Sequence, residues 1–211
     1  MKLLKNEVLV LRSVNKDMSS SHGFKWPKKG PVAAPDWKDT DKCGNGLHGL
    51  PWGVGGVEYC ADAGSEGSLW LVVRVKAVKG NYQHGSGNMT DKCKFHKGVV
   101  VFCGTNKEAV AMISKYAPAN LAINWSTQKA GNEATQTAGD WSTQTAGDEA
   151  TQKAGANTVQ IIHAWKDGEM KVFTRTITEK EAGKWYRFEG KGWRLCTEKE
   201  VEETEERGGL K

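Results

Sequence analysis

The alternation of hydrophobic and polar positions predicts a chain of short strands with one helix. Segments rich in aliphatic and β-branched residues, or alternating with polar ones, favour strands. These segments are 7–13, 69–76, 98–104, 169–178, 184–188 and 192–196. After the third strand, apolar residues recur at helical spacing up to Ile113 and Tyr116. We therefore predict a helix that is capped by Thr105 or Asn106 and ended by Pro118.

Between residues 124 and 155 the pattern changes to a polar repeat of eight residues. The four octads read NWSTQKAG, NEATQTAG, DWSTQTAG and DEATQKAG. Trp and Glu alternate at the second position, so the larger unit is sixteen residues. Gly followed by Asn or Asp favours a turn in every octad. A fixed short period with a turn in each unit is typical of a β-solenoid, which predicts two sixteen-residue coils.

Strand alternation also predicts which repeat side chains face outward. Lysine is the residue least suited to burial, so the register of Lys129 and Lys153 should face solvent. The predicted outward face, which we also expect to form oligomer contacts, comprises Thr127, Lys129, Thr135, Thr137, Thr143, Thr145, Thr151 and Lys153. The predicted stacked positions are Trp125 over Trp141 and the amides of Gln128, Gln136, Gln144 and Gln152.

The string AGDWSTQTAG at 138–147 resembles the octapeptide of bacterial ice-nucleation proteins. The resemblance implies a solenoid surface whose threonine rows order water. Four octads would build a stack of roughly 10 Å, which is small for such a template. A structural or oligomerisation module is therefore our preferred interpretation, with ice binding as an alternative. Two coils are also fewer than the roughly three that solenoids need, so we expect caps from the flanks or from a second copy in a homo-oligomer.

The predicted fold class is an α+β domain with an inserted short β-solenoid, mainly β overall. An N-terminal α+β part with a long Gly- and Trp-rich loop would span 1–120. The repeat with its flanking caps would span 121–165. Strands at 166–198 would complete the first domain, and 199–211 would form an acidic tail or frayed helix.

A long irregular region, 15–68, separates the first two predicted strands and is the candidate binding site. Such a loop inside a domain is often functional, and its glycines would let backbone approach a ligand. The candidate residues for stacking and phosphate contact are Arg12, Lys25, Trp26, His48 and Trp52. The alternative is that Gly44, Gly46, Gly49 and Gly53 form tight turns and that Trp52 packs in the core. The sequence leaves both interpretations open.

Composition narrows the cellular setting. The net charge is +5, from 30 basic and 25 acidic residues, and its dispersal makes nucleic acid a weak candidate partner. No run approaches the ~20 apolar residues of a spanning helix, and the N-terminal stretch lacks a secretory core, so we expect a cytoplasmic protein without membrane contact. The five cysteines are scattered and expected to be reduced thiols. Cys43 with His48 and Cys93 with His96 lack a second ligand pair, so we expect neither a metal nor another cofactor.

The order of the motifs resembles that of uncharacterised phage and bacterial proteins: NEVLVLRSVNKDM, GFKWP, APDW, CGNGLHGLPWG, WLVVRV and GVVVFCG before the repeat. This resemblance implies a phage accessory protein, which would act in the host cytoplasm. We expect a non-enzymatic, counter-defence type of binding protein that sequesters a host protein or a small nucleotide signal. The alternative is an enzyme, because Arg12, the GNGLHG segment and Glu58-Tyr59 resemble the cofactor site of ADP-ribosyltransferases. A late catalytic glutamate could not be placed, which favours the binding protein.

Overall fold

A computed structural model describes residues 1–20, 23–56, 67–87, 89, 91–118, 121–190 and 192–208. The chain divides into two compact units, Met1–Ala119 and Asn120–Lys211, which we call unit 1 and unit 2. Within the described residues, no helix is long and apolar enough to span a membrane.

Unit 1 is built on one seven-stranded sheet. Its strands are β1 (Glu7–Val14), β2 (Gly30–Ala33), β3 (Leu47–Pro51), β4 (Leu69–Lys76), β5 (Tyr82–Gln83), β6 (Cys93–Phe95) and β7 (Lys97–Gly104). They lie in the order β2-β7-β4-β1-β3-β6-β5, and every pairing along the sheet is antiparallel. The first three strands predicted from the sequence correspond to β1, β4 and β7, the central strands of this sheet.

Both faces of the unit 1 sheet are covered. On one face Val10, Val73 and Val100 pack with Trp26 and Phe95 in the main hydrophobic core. The opposite face carries the predicted helix, α1 (Asn106–Ser114), which buries Ala109, Val110 and Ile113. The Thr105 side chain accepts from the Glu108 backbone and the Glu108 carboxylate accepts from the Thr105 backbone, which is a capping box. The helix ends at Ser114, before the predicted stop at Pro118.

Unit 2 contains two four-stranded sheets. Its strands are β8 (Thr127–Lys129), β9 (Thr135–Thr137), β10 (Thr143–Gly147), β11 (Thr151–Lys153), β12 (Val159–Lys166), β13 (Glu169–Thr176), β14 (Trp185–Phe188) and β15 (Trp193–Cys196). The sheet orders are β13-β12-β10-β8 and β15-β14-β11-β9. A C-terminal helix, α2 (Glu198–Gly208), occupies most of the predicted acidic tail.

The repeat strands pair in parallel at an offset of sixteen residues. Gln144 lies opposite Gln128 on one side and Gln160 on the other, while Gln152 lies opposite Gln136. One strand of each octad therefore enters one sheet and the next octad's strand enters the other. The sixteen-residue unit inferred from the Trp/Glu alternation is the period of this pairing.

The predicted fold class is nevertheless wrong. The described chain is mostly β, with three separate sheets and two helices, and it contains no solenoid inserted into an α+β domain. The C-terminal strands do not return to complete the first sheet: β13 pairs with β12, and β14 pairs with β11, both antiparallel. Repeat strands and hairpins share the same two sheets, and the repeat alanines Ala146 and Ala150 pack there against Ile162, Phe173 and Phe188.

The corners of the repeat place positive φ at residues other than glycine. The residues with positive φ are those at the second octad position and its continuation: Trp125, Glu133, Trp141, Glu149 and Asn157. The repeat glycines instead provide space. A methyl group on Gly147 would overlap the Asn132 side chain, whose Oδ1 accepts from the Asp148 backbone at 3.1 Å.

Candidate functional site

Two of the five candidate residues in the long loop are engaged in local structure. Trp26 is 5% exposed and packs edge-on to Phe24 with a centroid distance of 5.4 Å. The exposed Lys25 ammonium is paired with the Asp17 carboxylate and also donates to the Asp17 carbonyl at 3.2 Å. This pairing lowers the pKa of Asp17. Trp26 is therefore a core residue, and Lys25 stabilises the loop through its ion pair with Asp17.

His48 occupies the most unusual electrostatic position among the candidates. It lies in β3, and its buried Nε2 has no hydrogen-bond partner among the described residues. Burial, followed by the positive charges of Lys92, Arg12 and Lys94, lowers the pKa of His48 to about 4. The imidazole is therefore neutral at physiological pH. Perturbed groups of this kind cluster at functional sites, but structural networks produce them as well.

Lys94 is the strand partner of His48 and is fully buried. Its ammonium donates to the Lys42 carbonyl at 2.9 Å and to Thr40 Oγ1 at 3.3 Å, and it lies 5.4 Å from the centroid of Trp37. Burial lowers the pKa of Lys94. These contacts hold the 37–42 segment over β6, so the Lys94 charge serves the fold of the loop.

The glycines of the loop take structural positions. Gly49 lies inside β3, where a methyl group would overlap Val10 and the Leu11 carbonyl of β1. Trp52 has φ of 55°, is half-buried, and donates its backbone N–H to the Leu9 carbonyl at 2.7 Å. The segment is thus a strand followed by a turn. Among the five candidates, Arg12 and His48 lie within electrostatic reach of each other.

Glutamine side chains of the repeat form two hydrogen-bonded rows inside unit 2. Gln144 donates to Gln128 at 3.1 Å and Gln160 donates to Gln144 at 2.9 Å, while Arg175 Nε donates to Gln160 at 2.8 Å. In the other sheet Gln152 donates to Gln136 at 2.8 Å. These hydrogen bonds lie inside unit 2. The side chains that alternate with the glutamines along each strand lie on the opposite face of the sheet.

The outer face of the β13-β12-β10-β8 sheet is regular. One row across the strands is Thr127, Thr143, Val159 and Thr176, and the next is Lys129, Thr145, Ile161 and Thr174. In the other sheet Thr135, Thr137 and Lys153 are half-buried, and Thr151, which was predicted to face outward, is only 2% exposed. Trp141 is 55% exposed and Trp125 half-buried, each at a positive-φ corner.

A groove that the sequence did not reveal lies on the α1 side of the unit 1 sheet, beside β7. Two adjoining cavities of about 350 and 310 Å³ share Arg74 and Val99 in their walls. Their floor is aliphatic: Val78, Val99, Val101 and Met112. Their cationic wall is formed by Lys29, Arg74, Lys76 and Lys97. We call this feature the β7 groove.

The cations of the β7 groove are held in place by the sheet. Arg74 lies opposite Val99, and its Nε is 3.6 Å from Oε1 of the buried Glu7. Asn81 donates to the carbonyls of Lys76 and Lys97 at 2.8 and 3.2 Å and accepts from the Lys97 backbone at 2.9 Å. This side chain ties the end of β4 to the start of β7, so two exposed lysines flank one end of the groove.

Sequence reasoning missed the groove because its charges are separated along the chain. Lys29, Arg74 and Lys97 belong to three segments, and only the antiparallel pairing of their strands brings them to one groove. The sequence feature that could have indicated the groove is the alternation in β4, where Arg74 and Lys76 share a face within an otherwise apolar strand.

Cys43 and Cys93, weighed as metal ligands, make separate contacts. Among the described residues, no group of three or more His, Cys, Asp or Glu side chains could hold a metal ion. Lys92 donates to the exposed Cys43 Sγ at 3.1 Å, and Cys93 is buried with its thiol directed at the Gly49 carbonyl, which leaves both outside any ligand cluster. Cys60 and Glu58-Tyr59 lie outside the described residues.

Comparison with known proteins finds two kinds of similarity. Residues 8–112 match a family described as Domain of unknown function (DUF7666), a segment that runs from β1 into α1 of unit 1. The Ice nucleation protein of Xanthomonas campestris pv. translucens is 32% identical over 117 residues, 55% of this chain. That of Pseudomonas fluorescens is 34% identical over 111 residues, 51% of this chain.

These matches are partial. The aligned segments cover only 7% and 8% of the two ice nucleation proteins, so the chain corresponds to a small part of either. No solved structure matches the chain significantly.

Proposed function

We propose that the protein is a non-enzymatic binding protein that holds an acidic surface of a partner protein in the β7 groove. The observation that carries the proposal is the arrangement of four cations around an aliphatic floor; Glu7, the partner of Arg74, is the single acid among the described residues of the lining. Cavities of this size, apolar with a few placed charges, are typical of binding sites. If the chain is a phage accessory protein, as its motif order implies, the partner is a host protein.

The loop candidates support a nucleotide ligand less well. The Trp26 ring is in the core, Lys25 is paired with Asp17, and Nε2 of His48 is shielded from solvent. A nucleotide would need an accessible stacking ring beside accessible cations. The β7 groove, in contrast to the loop, offers accessible cations, because Lys29, Lys76 and Lys97 are exposed.

The test is a comparison of charge-reversed variants. Lys76→Glu/Lys97→Glu changes the groove, and Lys38→Glu/Lys107→Glu makes the same change in net charge at exposed positions elsewhere in unit 1. Each protein is used to capture partners from a bacterial lysate, and the captured proteins are purified and retested singly at low and at 0.5 M salt. We expect acidic proteins that bind the wild type and the control but not the groove variant. Equal binding by all three would refute the proposal.

A second candidate function, ordering water at an ice surface, is favoured by two observations. The chain is similar to two ice nucleation proteins, and the β13-β12-β10-β8 sheet presents threonines in regular rows. With strands ~4.8 Å apart, each four-strand row is roughly 14 Å wide. Droplet-freezing and thermal-hysteresis measurements on the wild type and Thr143→Lys/Thr145→Lys test it. A wild type that behaves like an unrelated control protein at equal concentration eliminates this candidate.

A further inference from the structure

We propose that the occupant of the β7 groove is an extended acidic peptide of four to five residues, with an aliphatic side chain between carboxylates. This inference rests on the proposed binding function and specifies the partner. The groove follows β7 from Lys97 to Val101, and at ~3.3 Å per residue that path is about 13 Å long. An extended segment of four to five residues has the same length.

The lining selects the chemistry of the peptide. Lys76 and Lys97 stand at one end and Lys29 at the other, with Arg74 between them and already partly neutralised by Glu7. Carboxylates at both ends of the peptide would meet the lysines, and charge complementarity of this kind fixes register and raises association rates. The aliphatic floor between them, Val99 and Met112, would cover an apolar side chain at the centre.

The same lining disfavours a nucleic acid strand. Among the described residues that form the two cavities, no side chain is aromatic. Single-stranded nucleic acids are held by rings on which bases stack, each worth ~1–3 kcal/mol. A peptide needs only the charges and the aliphatic surface that the groove supplies.

The experiment is fluorescence anisotropy with the full chain and a labelled Glu-Asp-Leu-Asp-Glu peptide. The groove variant is again Lys76→Glu/Lys97→Glu and the matched control Lys38→Glu/Lys107→Glu; Arg74 is left intact, because its loss would strand the buried Glu7. We expect binding to weaken at least tenfold in the groove variant and less than twofold in the control. Replacing the central Leu of the peptide with Ser should weaken binding at least threefold.

The remaining outcomes separate this inference from the broader proposal. If captured acidic proteins depend on the groove lysines but the peptide binds no better than a Lys-Asn-Leu-Asn-Lys peptide, the extended-peptide inference is wrong and the binding function stands. If neither depends on them, both fail. A five-nucleotide DNA strand that binds as tightly as the peptide, through the same lysines, also overturns the inference. Unchanged circular dichroism of both variants confirms that each is folded.

Discussion

At the scale of single residues, the close approach of one octad pair to the next determines which residue types occupy the corners of the repeat. Asn124, Asn132 and Asp140 each accept a backbone N–H from sixteen residues further on, at 2.8–3.1 Å. The glycine before that N–H has no room for a Cβ because the Asn or Asp oxygen occupies the space. Gly139, Gly147 and Gly155 are therefore required for the contact between successive octad pairs, whereas Gly131 is not.

This account predicts unequal effects for two identical substitutions. Gly147→Ala would overlap Asn132, whereas the methyl of Gly131→Ala would meet nothing within 4 Å. We expect Gly147→Ala to lower the free energy of unfolding by about 2–3 kcal/mol and Gly131→Ala to change it by less than about 0.5 kcal/mol. Urea unfolding measures both. Equal losses would show that backbone conformation, not space, requires glycine here.

His48 yields a prediction about pH at the same scale. Its folded pKa of about 4 lies below its ordinary value of 6.5, so the unfolded chain binds the proton more readily. Protonation of the unfolded chain therefore lowers the free energy of unfolding as the pH falls from 6.5 toward 4. Above pH 6.5 the ring is neutral in both states and this loss is absent. With a discount for partial exposure the loss is on the order of 2 kcal/mol.

The measurement compares unfolding of the wild type and of His48→Gln at pH 7.5 and pH 4. Other groups titrate similarly in both proteins. Between pH 7.5 and pH 4 the free energy of unfolding should therefore fall by about 2 kcal/mol more in the wild type than in His48→Gln. An NMR titration reports the pKa of His48 directly. A ring that titrates near 6.5 would contradict the burial argument.

At the scale of elements, the glutamine rows connect strands that contain few apolar side chains. Gln144 is fully buried, donates to Gln128 and to the Lys153 carbonyl, and accepts from Gln160. Buried amides are most stabilising when their donors and acceptors are matched, so the row through Gln144 requires the sixteen-residue register. A slip of one residue would expose the glutamines and bury the threonines.

Gln144→Leu should therefore be more harmful than Gln128→Leu. The first leaves the buried Gln160 donor unmatched and removes the donor to Gln128, whereas the second affects a half-exposed residue at the end of a row. We expect losses of about 2–4 and about 1 kcal/mol respectively, by urea unfolding. The same loss at both positions would mean that the rows are not cooperative.

At the scale of the whole molecule, each unit has its own hydrophobic core. Val73 belongs to the core of unit 1, and Ile162 to a separate cluster in unit 2 with Ala146 and Phe188. The family match at 8–112 falls within unit 1 alone. Each unit thus has the apolar contacts needed for its own cooperative structure.

Core truncations should act within one unit. Val73→Ala and Ile162→Ala, both at fully buried positions, should each cost about 2–4 kcal/mol. Hydrogen exchange followed by mass spectrometry should show faster exchange in unit 1 for the first and in unit 2 for the second. Uniform acceleration across the chain in either variant would show that the cores unfold together.

The sequence by itself determined the local elements. Apolar runs identified β1, β4 and β7, the Thr105 cap identified α1, and the Trp/Glu alternation identified the sixteen-residue pairing, because each signal depends on neighbours in the chain. Strand alternation also separates the glutamines, which are mostly buried, from threonines that are exposed or half-buried, with Thr151 as an exception. These patterns are periodic, and periodicity is visible without a fold.

Tertiary structure alone decided the assembly of the sheets and the position of the groove. Which hairpin completes the repeat sheets depends on the fit of Ile162, Phe173 and Phe188, which periodicity does not encode. The loop candidates were chosen by residue type, yet burial placed Trp26 in the core, and the β7 groove arose from lysines far apart in sequence. The assembly of the sheets and the position of the groove both depend on long-range strand pairing. The side chains of the groove become neighbours only when strands about 20 to 70 residues apart in sequence pair with each other.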